Sequence, residues 1–414
     1  MRPAVLCKAS PQYDQSVFIL SKPEFLHVMR PRVALDIETS RIYGRRILAG
    51  VSQFLVANRP WSIYVEQHEI GSGIRQLLSR WSGDGLISRQ LTSECAQLLS
   101  RQNLPAIDLS NFSPHLGIPR INSADDEIGR MASQHFVERS FEHVGCCSYK
   151  KQFWSERRSR AFVEAAKREG MSVGVLEQLL RTRGQRWDRD QDQMAAWLIA
   201  LPKPVGIFAT NDLMGQKVID ACGRAGLAVP ESVAVLGVDD DEVLCSLCNP
   251  PLSSIDPDAE RIGMEAAKWL ERLMQGEQAS KDALLEVSPL GITTRQSSDI
   301  LAVPDPDFAA ALRFIRVHAC EGATIHDIAA HLAVSRSWLE RRFRYYLGRS
   351  PQAEIRRTQI KRCKELLRST KMPLDQVARL AGFKHTEYMS YVFKRETGEA
   401  PGRFRNENRS RERK

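Results

Sequence analysis

"TIHDIAAHLAVSRSWLERRF", residues 324–343, and "PLDQVARLAGFKHTEYMSYVF", residues 373–393, carry one pattern twice near the end of a 414-residue chain. Ile325, Ile328, Ala329 and Leu332 have the i, i+3, i+4, i+7 spacing of a helix with one apolar face. Leu374, Val377, Ala378 and Ala381 repeat it 49 residues later. Leu339 and Phe343 then pair with Met389 and Phe393 at an offset of 50, so one residue is inserted in the turn between. Each copy predicts helix, short turn, helix. Thr324 with Asp327 predicts a capping box, and Pro373 fits a first helical turn. "FRYYLGRSP" (343–351) and "FKRETGEAP" (393–401) close the two copies with Gly and, three residues on, Pro. Ordinary helical hairpins packed together have the same periodicity. Two in register with a shared ending favour two helix-turn-helix units.

Charge points the same way. Residues 306–414 hold 24 Lys+Arg against 12 Asp+Glu, a net of +12, while the whole chain is +9 and residues 1–305 are therefore −3. A phosphate-binding module needs such an excess, because neutralised phosphates release counterions. A solvated surface explains the final "RSRERK" equally well, and no specific contact is assigned to it. Arg336, Arg341, Arg342 and Arg344 crowded on one short helix fit a solvated surface less well. Between the copies, "SPQAEIRRTQIKRCKELLRS" reads as one helix with Ser350 as N-cap and Pro351 at its first position. Successive major-groove faces lie ~34 Å apart, so a rigid spacer lets one polypeptide read two adjacent turns.

Residues 306–406 resemble the DNA-binding domain of the AraC/XylS family of transcriptional regulators, in which two helix-turn-helix units are joined by a long helix. The resemblance implies that the second helix of each unit enters the major groove of double-stranded DNA. The implied reading faces are Arg336, Ser337, Glu340 and Arg341 in the first unit, and His385, Thr386, Glu387 and Tyr391 in the second. Arg341 has the fork that grips a guanine edge. Tyr391 stands where many relatives carry Arg. Trp338 has a competing role in packing and is not assigned to readout.

The rest of the chain has a different character. Hydrophobic residues make up 43% of the sequence, and no apolar run approaches the ~18 residues of a membrane span, which predicts a soluble protein without a membrane partner. The first residues lack the charged and apolar regions of an export signal, so a cytoplasmic location is expected. Nine cysteines, an odd and scattered set, predict reduced thiols. Cys245-x-x-Cys248 lacks a second pair and nearby histidines, and is read as chance spacing; no metal or cofactor is expected. Cys146–Cys147 is read as the end of a buried strand. Residues 1–31 look irregular, and Met29 opens "MRPRVALDIETS", an alternative start to Met1.

From Arg32 short apolar strands alternate with amphipathic helices. "RVALDI" leads to "YGRRILAGVSQFLVAN", "WSIYVE" to "IRQLLSRW", and "DGLI" to "SECAQLLSRQN". "HVGCCSY", "VGIFATN" and "VAVLGVDD" continue the series. Such alternation predicts parallel sheets covered on both faces, and about 260 residues exceed one comfortable core, so two α/β lobes are expected. Ligands then bind beyond the carboxyl ends of the strands, at "DIETSRIY", "ATND" and "GVDDDE".

Those segments, with "ERRSRAF", "IGMEAAKWLERL" and "GITTRQSS", resemble the effector domain of LacI-type repressors and periplasmic sugar-binding proteins over 32–298. The fold class implied is therefore a two-lobed, periplasmic-binding-protein-like α/β sensor, a linker at 299–305, an all-α domain with two helix-turn-helix units at 306–406, and a basic tail at 407–414. By position the resemblance implies sugar contacts from Arg158, Asn211, Asp212 and Asp239, covered by Tyr43 and Trp154. The competing readings are a helix cap for Asp212 and packing for the two aromatics. A LacI-like sensor joined to an AraC-type reader resembles regulators of pentose utilisation. This implies an activator switched by a sugar, with D-xylose as the first expectation, acting as a homodimer in contact with RNA polymerase. Pro257 stands where that resemblance implies a sugar-contacting Gln. The alternatives are a regulator answering to another sugar or a purine, and a sugar-acting enzyme with a DNA-binding tail. Against an enzyme, the chain has no Walker-type loop, no metal-binding His cluster and no G-x-S-x-G elbow.

Overall fold

The computed structural model describes residues 30–411 apart from 59, 66–77, 80, 111–115, 180–186, 281–282, 301 and 304. The alternative start at Met29 and most of the helix expected over 74–81 lie outside the described residues. In the first lobe, β1 (Arg32–Asp36), β2 (Ser62–Val65), β3 (Gly85–Ser88), β4 (Ala106–Asp108), β5 (Arg120–Ser123) and β11 (Leu284–Val287) form a sheet ordered β11-β5-β4-β3-β1-β2. Every pairing in it is parallel. Its apolar face packs Val33, Leu35, Ile87, Ile107 and Ile121 against α1 (Ile42–Ala57) and α8 (Ala259–Met274). The two helices cross closely enough that a Cβ on Gly263 would stand 1.9 Å from the Ile47 carbonyl oxygen. The opposite face packs on α2 (Ser93–Gln102) through Leu86, Cys95 and Leu99.

The second lobe holds β6 (His143–Lys150), β7 (Ser172–Leu179), β8 (Val205–Ala209), β9 (Val233–Val238), β10 (Ser253–Asp256) and β12 (Gly291–Thr293), ordered β12-β10-β9-β8-β6-β7. "VGIFA" and "VAVLGV" are buried along their whole length, as continuous apolar runs are when helices cover both faces. The covering helices are α3 (Asp125–Val137), α4 (Phe153–Arg168), α5 (Trp187–Ala200) and α6 (Asp212–Arg224), with the short α7 (Glu242–Leu247) after β9. β12 departs from the expected parallel pattern and runs antiparallel to β10. It returns from the first lobe into the sheet at the end where β10 leaves it, Gly291 pairing with Asp256, so it must run the opposite way. Cys146 and Cys147 lie mid-strand in β6, not at its end, each facing a buried core. The chain crosses between lobes at 123–125, 256–259 and 287–291.

The C-terminal domain is all helix. The first unit comprises α9 (Pro306–His318), α10 (Ile325–His331) and α11 (Arg336–Leu347), and the second α13 (Leu374–Leu380), α14 (Thr386–Thr397) and α15 (Pro401–Arg411). Spacer helix α12 (Pro351–Ser369) starts as read, with the Ser350 hydroxyl accepting from Ala353 N at 3.2 Å. It serves both cores: Ile355 packs with Phe308, Ile328, Leu339 and Phe343, and Ile360 and Cys363 with Val377, Met389, Phe393 and Phe404. The Thr324–Asp327 capping box is present. Pro373 is the N-cap of α13 rather than a residue of its first turn, with ψ at 153° still extended. α15 runs on through Arg411, past the expected start of the tail at 407. No described helix is long and apolar enough to cross a membrane.

Candidate effector cleft and nucleic-acid interface

The carboxyl ends of the strands gather charge where the lobes meet. Glu38 follows β1 and is buried against Arg89, which follows β3; the two form an ion pair. The Arg89 guanidinium lies 4.6 Å from the centre of the Tyr43 ring. The Tyr43 hydroxyl bonds Ser123, and burial raises its pKa although the Arg89 charge opposes the shift. From the second lobe comes Arg158, whose guanidinium donates to Asp125 at 2.8 Å, to the Thr210 carbonyl at 2.8 Å and to Ser123 Oγ at 3.4 Å. It also lies 5.0 Å from the Trp154 ring, and Trp154 leans on Tyr149 at the end of β6. Asp239 follows β9. Burial pushes its carboxyl up to about 6, with Arg158, Arg41 and Arg89 pulling the other way.

Tyr43, Arg158 and Asp239 thus converge, with Trp154 beside them. Asn211 and Asp212 have other work. The Asn211 side chain caps α6, accepting from Met214 N at 2.9 Å. Asp212 accepts from Ser254 Oγ at 2.6 Å and Asp241 N at 2.9 Å, with the Cys245 thiol at 3.4 Å. Burial, then the Asp239 charge, holds its carboxyl well above the usual range. The residue read as a possible cap is therefore a brace for the loop 239–241, and its neighbour is the cap. Glu38, Arg89 and Asp125 went unnamed in the sequence reading. Glu38 lies inside the flagged "DIETSRIY"; nothing local marks Arg89 or Asp125, which become cleft residues only through packing.

A second surface is built on α11. Arg336, Ser337 and Arg341 are exposed and Glu340 half-buried, while Leu339 and Phe343 face inward. Arg344 and the 78% exposed Tyr345 extend the same face by another turn, and the sequence reading missed Tyr345. Trp338 is half-buried in the first core with Arg342 5.5 Å over its ring, which fits packing. On α14, Glu387 and Tyr391 are exposed and Thr386 half-exposed, while Met389, Val392 and Phe393 are buried. His385 is the N-cap residue, its side chain making no cap bond. Tyr388 joins this face at 47% exposure, with the Arg356 guanidinium 5.0 Å from its ring. Both second helices therefore present polar and basic residues outward from apolar anchors. Among the described residues no group of three or more His, Cys, Asp or Glu is placed to hold a metal ion.

A two-lobed α/β sensor followed by paired helix-turn-helix units defines a DNA-binding transcriptional regulator of AraC type with a LacI-type effector domain, and such regulators are not enzymes. The matching family models are the XylR N-terminal domain over 32–116, the periplasmic binding protein-like domain over 133–298 and the helix-turn-helix domain over 328–407. The chain is 29% identical over 384 residues to the xylose operon regulatory protein of Haemophilus influenzae, covering 90% of this chain and 98% of that one. The Escherichia coli protein of the same name is 28% identical, over 92% and 98%. A solved xylose-binding transcription activator superposes with a TM-score of 0.78 at 26% identity, over 92% of this chain and 99% of that one.

Proposed function

We propose that the chain activates a sugar-catabolic operon, with D-xylose as effector. The observation that carries this reading is the convergence of Asp239, Arg158, Tyr43 and Trp154 with Glu38, Arg89 and Asp125 at the strand ends of both lobes. Carboxylates accept from sugar hydroxyls, guanidinium groups donate to them, and an aromatic face covers the C–H surface. Asn211 and Asp212 support this set from behind. The working partition is a sensor over 32–298, a connection over 299–305 and a reader over 306–406. In the reader, α11 meets one major-groove face through Arg336, Ser337, Glu340 and Arg341, and α14 the next through His385, Thr386, Glu387 and Tyr391. A homodimer in the cytoplasm, in contact with RNA polymerase, completes the reading. Sugar in the cleft favours the closed sensor and shifts the DNA-competent population by its preference for that state. The similarity to proteins named for the xylose operon supports the choice of pentose. The buried Pro257, without a side-chain donor, lies on the crossing segment near this cleft.

The test is calorimetric titration of the full chain with D-xylose, other pentoses, hexoses and purines, followed by DNA binding to its promoter region with and without the ligand found. Uptake of D-xylose and tighter operator binding in its presence are expected. Uptake of a different ligand moves the effector assignment. Product formation from any of them overturns the regulator reading.

A further inference from the structure

Arg46 lies on α1 in the first lobe, yet its guanidinium is spent on the second. Nη1 donates to the Asp239 carbonyl oxygen at 3.3 Å and Nη2 to the Asp240 carbonyl oxygen at 3.0 Å. Nη1 also forms an ion pair with Asp256 at 3.1 Å, at the end of β10 where the chain crosses to α8. These carbonyls belong to an unusual piece of backbone. Asp239 has φ of +113° and Asp240 of +46°, two successive residues with side chains in a region that favours glycine. Such strain persists only where surrounding contacts over-determine it, and it gathers at ligand clamps. Second-lobe groups supply part of the restraint: Asp239 N donates to the Ile255 carbonyl oxygen at 3.0 Å, and Asp240 N to Ser254 Oγ at 3.0 Å. The Asp240 carboxylate is held by Arg295 at 2.8 Å and Thr293 at 2.9 Å. Arg46 brings the first lobe's contribution, and it depends on the lobes being together.

We propose that Arg46 is a positioning residue for the effector site: a cross-cleft clasp that closes on the 239–241 backbone and aims the Asp239 carboxylate into the cleft. The inference rests on the reading of the cleft as an effector site, and Arg46 itself touches no sugar. It predicts that Arg46 governs how long the closed state lasts rather than how fast ligand enters.

The test compares full-length wild type, Arg46→Met, Arg46→Lys and Asp256→Asn. Each is titrated with D-xylose and the sugar panel, followed by stopped-flow fluorescence, and scanned for thermal unfolding without ligand. Lobe opening is read separately, from the distance between spin labels on exposed positions of α1 and α7. Arg46→Met should raise Kd about ten-fold or more, the loss being charge-assisted hydrogen bonds. The change should fall on the dissociation rate, with the ligand-free midpoint little altered and the labels further apart. Arg46→Lys should recover part of the affinity, since an ammonium reaches one carbonyl but not two in a fixed fork. An unchanged Kd for Arg46→Met overturns the clasp, as does a loss matched by a lower midpoint that Lys does not rescue. If wild type takes up no sugar, the effector reading fails. The label distance then decides the clasp alone: wider in Arg46→Met upholds it, unchanged overturns it.

Discussion

Asp239 is a cleft carboxylate, and its acidity gives the proposed effector reading a pH signature. Its folded pKa is raised from the usual carboxylate value to about 6, chiefly by burial. A raised pKa means that the folded chain binds the proton more tightly than the unfolded one. The associated stability is present below the unfolded value and lost as pH rises through about 6. In the proposed function effector hydroxyls donate to the ionised carboxylate, which gives sugar binding the opposite preference. At pH 5, about one in ten sites is ionised, so Kd for D-xylose should be about ten-fold weaker than at pH 7.5. Calorimetry at the two values checks this, and Asp239→Asn should remove the pH dependence along with most of the affinity. The two helix-turn-helix turns offer a second contrast. Ala333 and Gly382 occupy equivalent places, with φ of +52° and +78°. Ala333→Gly relieves a left-handed alanine and should stabilise by at most about 1 kcal/mol, after the entropy glycine adds to the unfolded chain. Gly382→Ala should destabilise by more, about 2–3 kcal/mol, because its Cβ would also stand 2.6 Å from the Ala319 carbonyl oxygen. Chemical unfolding of the full chain should show the two signs; equal signs would refute the assigned equivalence.

Spacer helix α12 explains how two short helical units become one reader. Gln359, almost fully buried, donates from Nε2 to the Ala319 carbonyl oxygen at 2.8 Å and the Gly382 carbonyl oxygen at 3.0 Å. Its Oε1 accepts from Arg356 at 2.7 Å. One side chain thus ties the end of the first unit's leading segment to the turn of the second, at the middle of the helix between them. Gln359→Leu strips two buried carbonyls of a partner and should cost about 2–3 kcal/mol in unfolding experiments. DNA carrying two adjacent half-sites should lose affinity, while sugar titration remains as in wild type. An unchanged unfolding curve would remove this role. The elements themselves were legible because periodicity is local: "VGIFA" and "VAVLGV" say buried strand, and the spacings at 325–332 and 374–381 say one-faced helix. Gln359 was not legible, since one glutamine on a polar-looking helix says nothing of which carbonyls fold beneath it. The cleft divides the same way. Asp239 and Arg158 were found in segments whose order along the chain is informative. Arg46, Arg89 and Asp125 were not, because their contacts span as many as 210 residues of separation. Of the two readings open for Asp212, sugar contact and helix cap, the hydrogen bonds give the cap to Asn211 and tie Asp212 to Ser254 and the 239–241 loop.

Across the whole molecule, the loop at the cleft and the reader are joined by a short run of chain. Asp240 holds Arg295 at 2.8 Å; three residues on, Ser298 is fixed by His135 at 2.8 Å and by Arg139 at 3.0 Å. Asp299, next in sequence, pairs with Lys361 at 3.0 Å and Arg357 at 3.4 Å on α12. A separate contact, Arg316 to the Val229 carbonyl oxygen at 2.8 Å and to Glu231, anchors α9 on the second lobe. Contiguity alone does not establish coupling; a shared element must have two arrangements that both sites bias. The path from Asp240 through residues 295–299 qualifies only if breaking its last link separates sugar binding from its effect on DNA. Asp299→Asn preserves size and removes the charge that both cations seek. Sugar Kd should stay as in wild type, whereas the ratio of operator affinities with and without sugar should shrink toward unity. Fluorescence anisotropy with a labelled operator measures that ratio, and a wild-type ratio in the variant would rule out this link. The pH behaviour separates the two ends of the run. Burial would raise the Asp299 carboxyl, but Lys361 and Arg357 outweigh it and hold it below its usual value. Its contribution is complete above the unfolded pKa and is lost only as pH falls through the lowered folded one. A change in the sugar response between pH 5 and 7.5 therefore originates among the cleft carboxylates that burial raises, Asp239 with the neighbouring Asp212, and not at the clamp on α12. In Asp299→Asn the pH dependence of sugar binding should persist even as its transmission to DNA is lost.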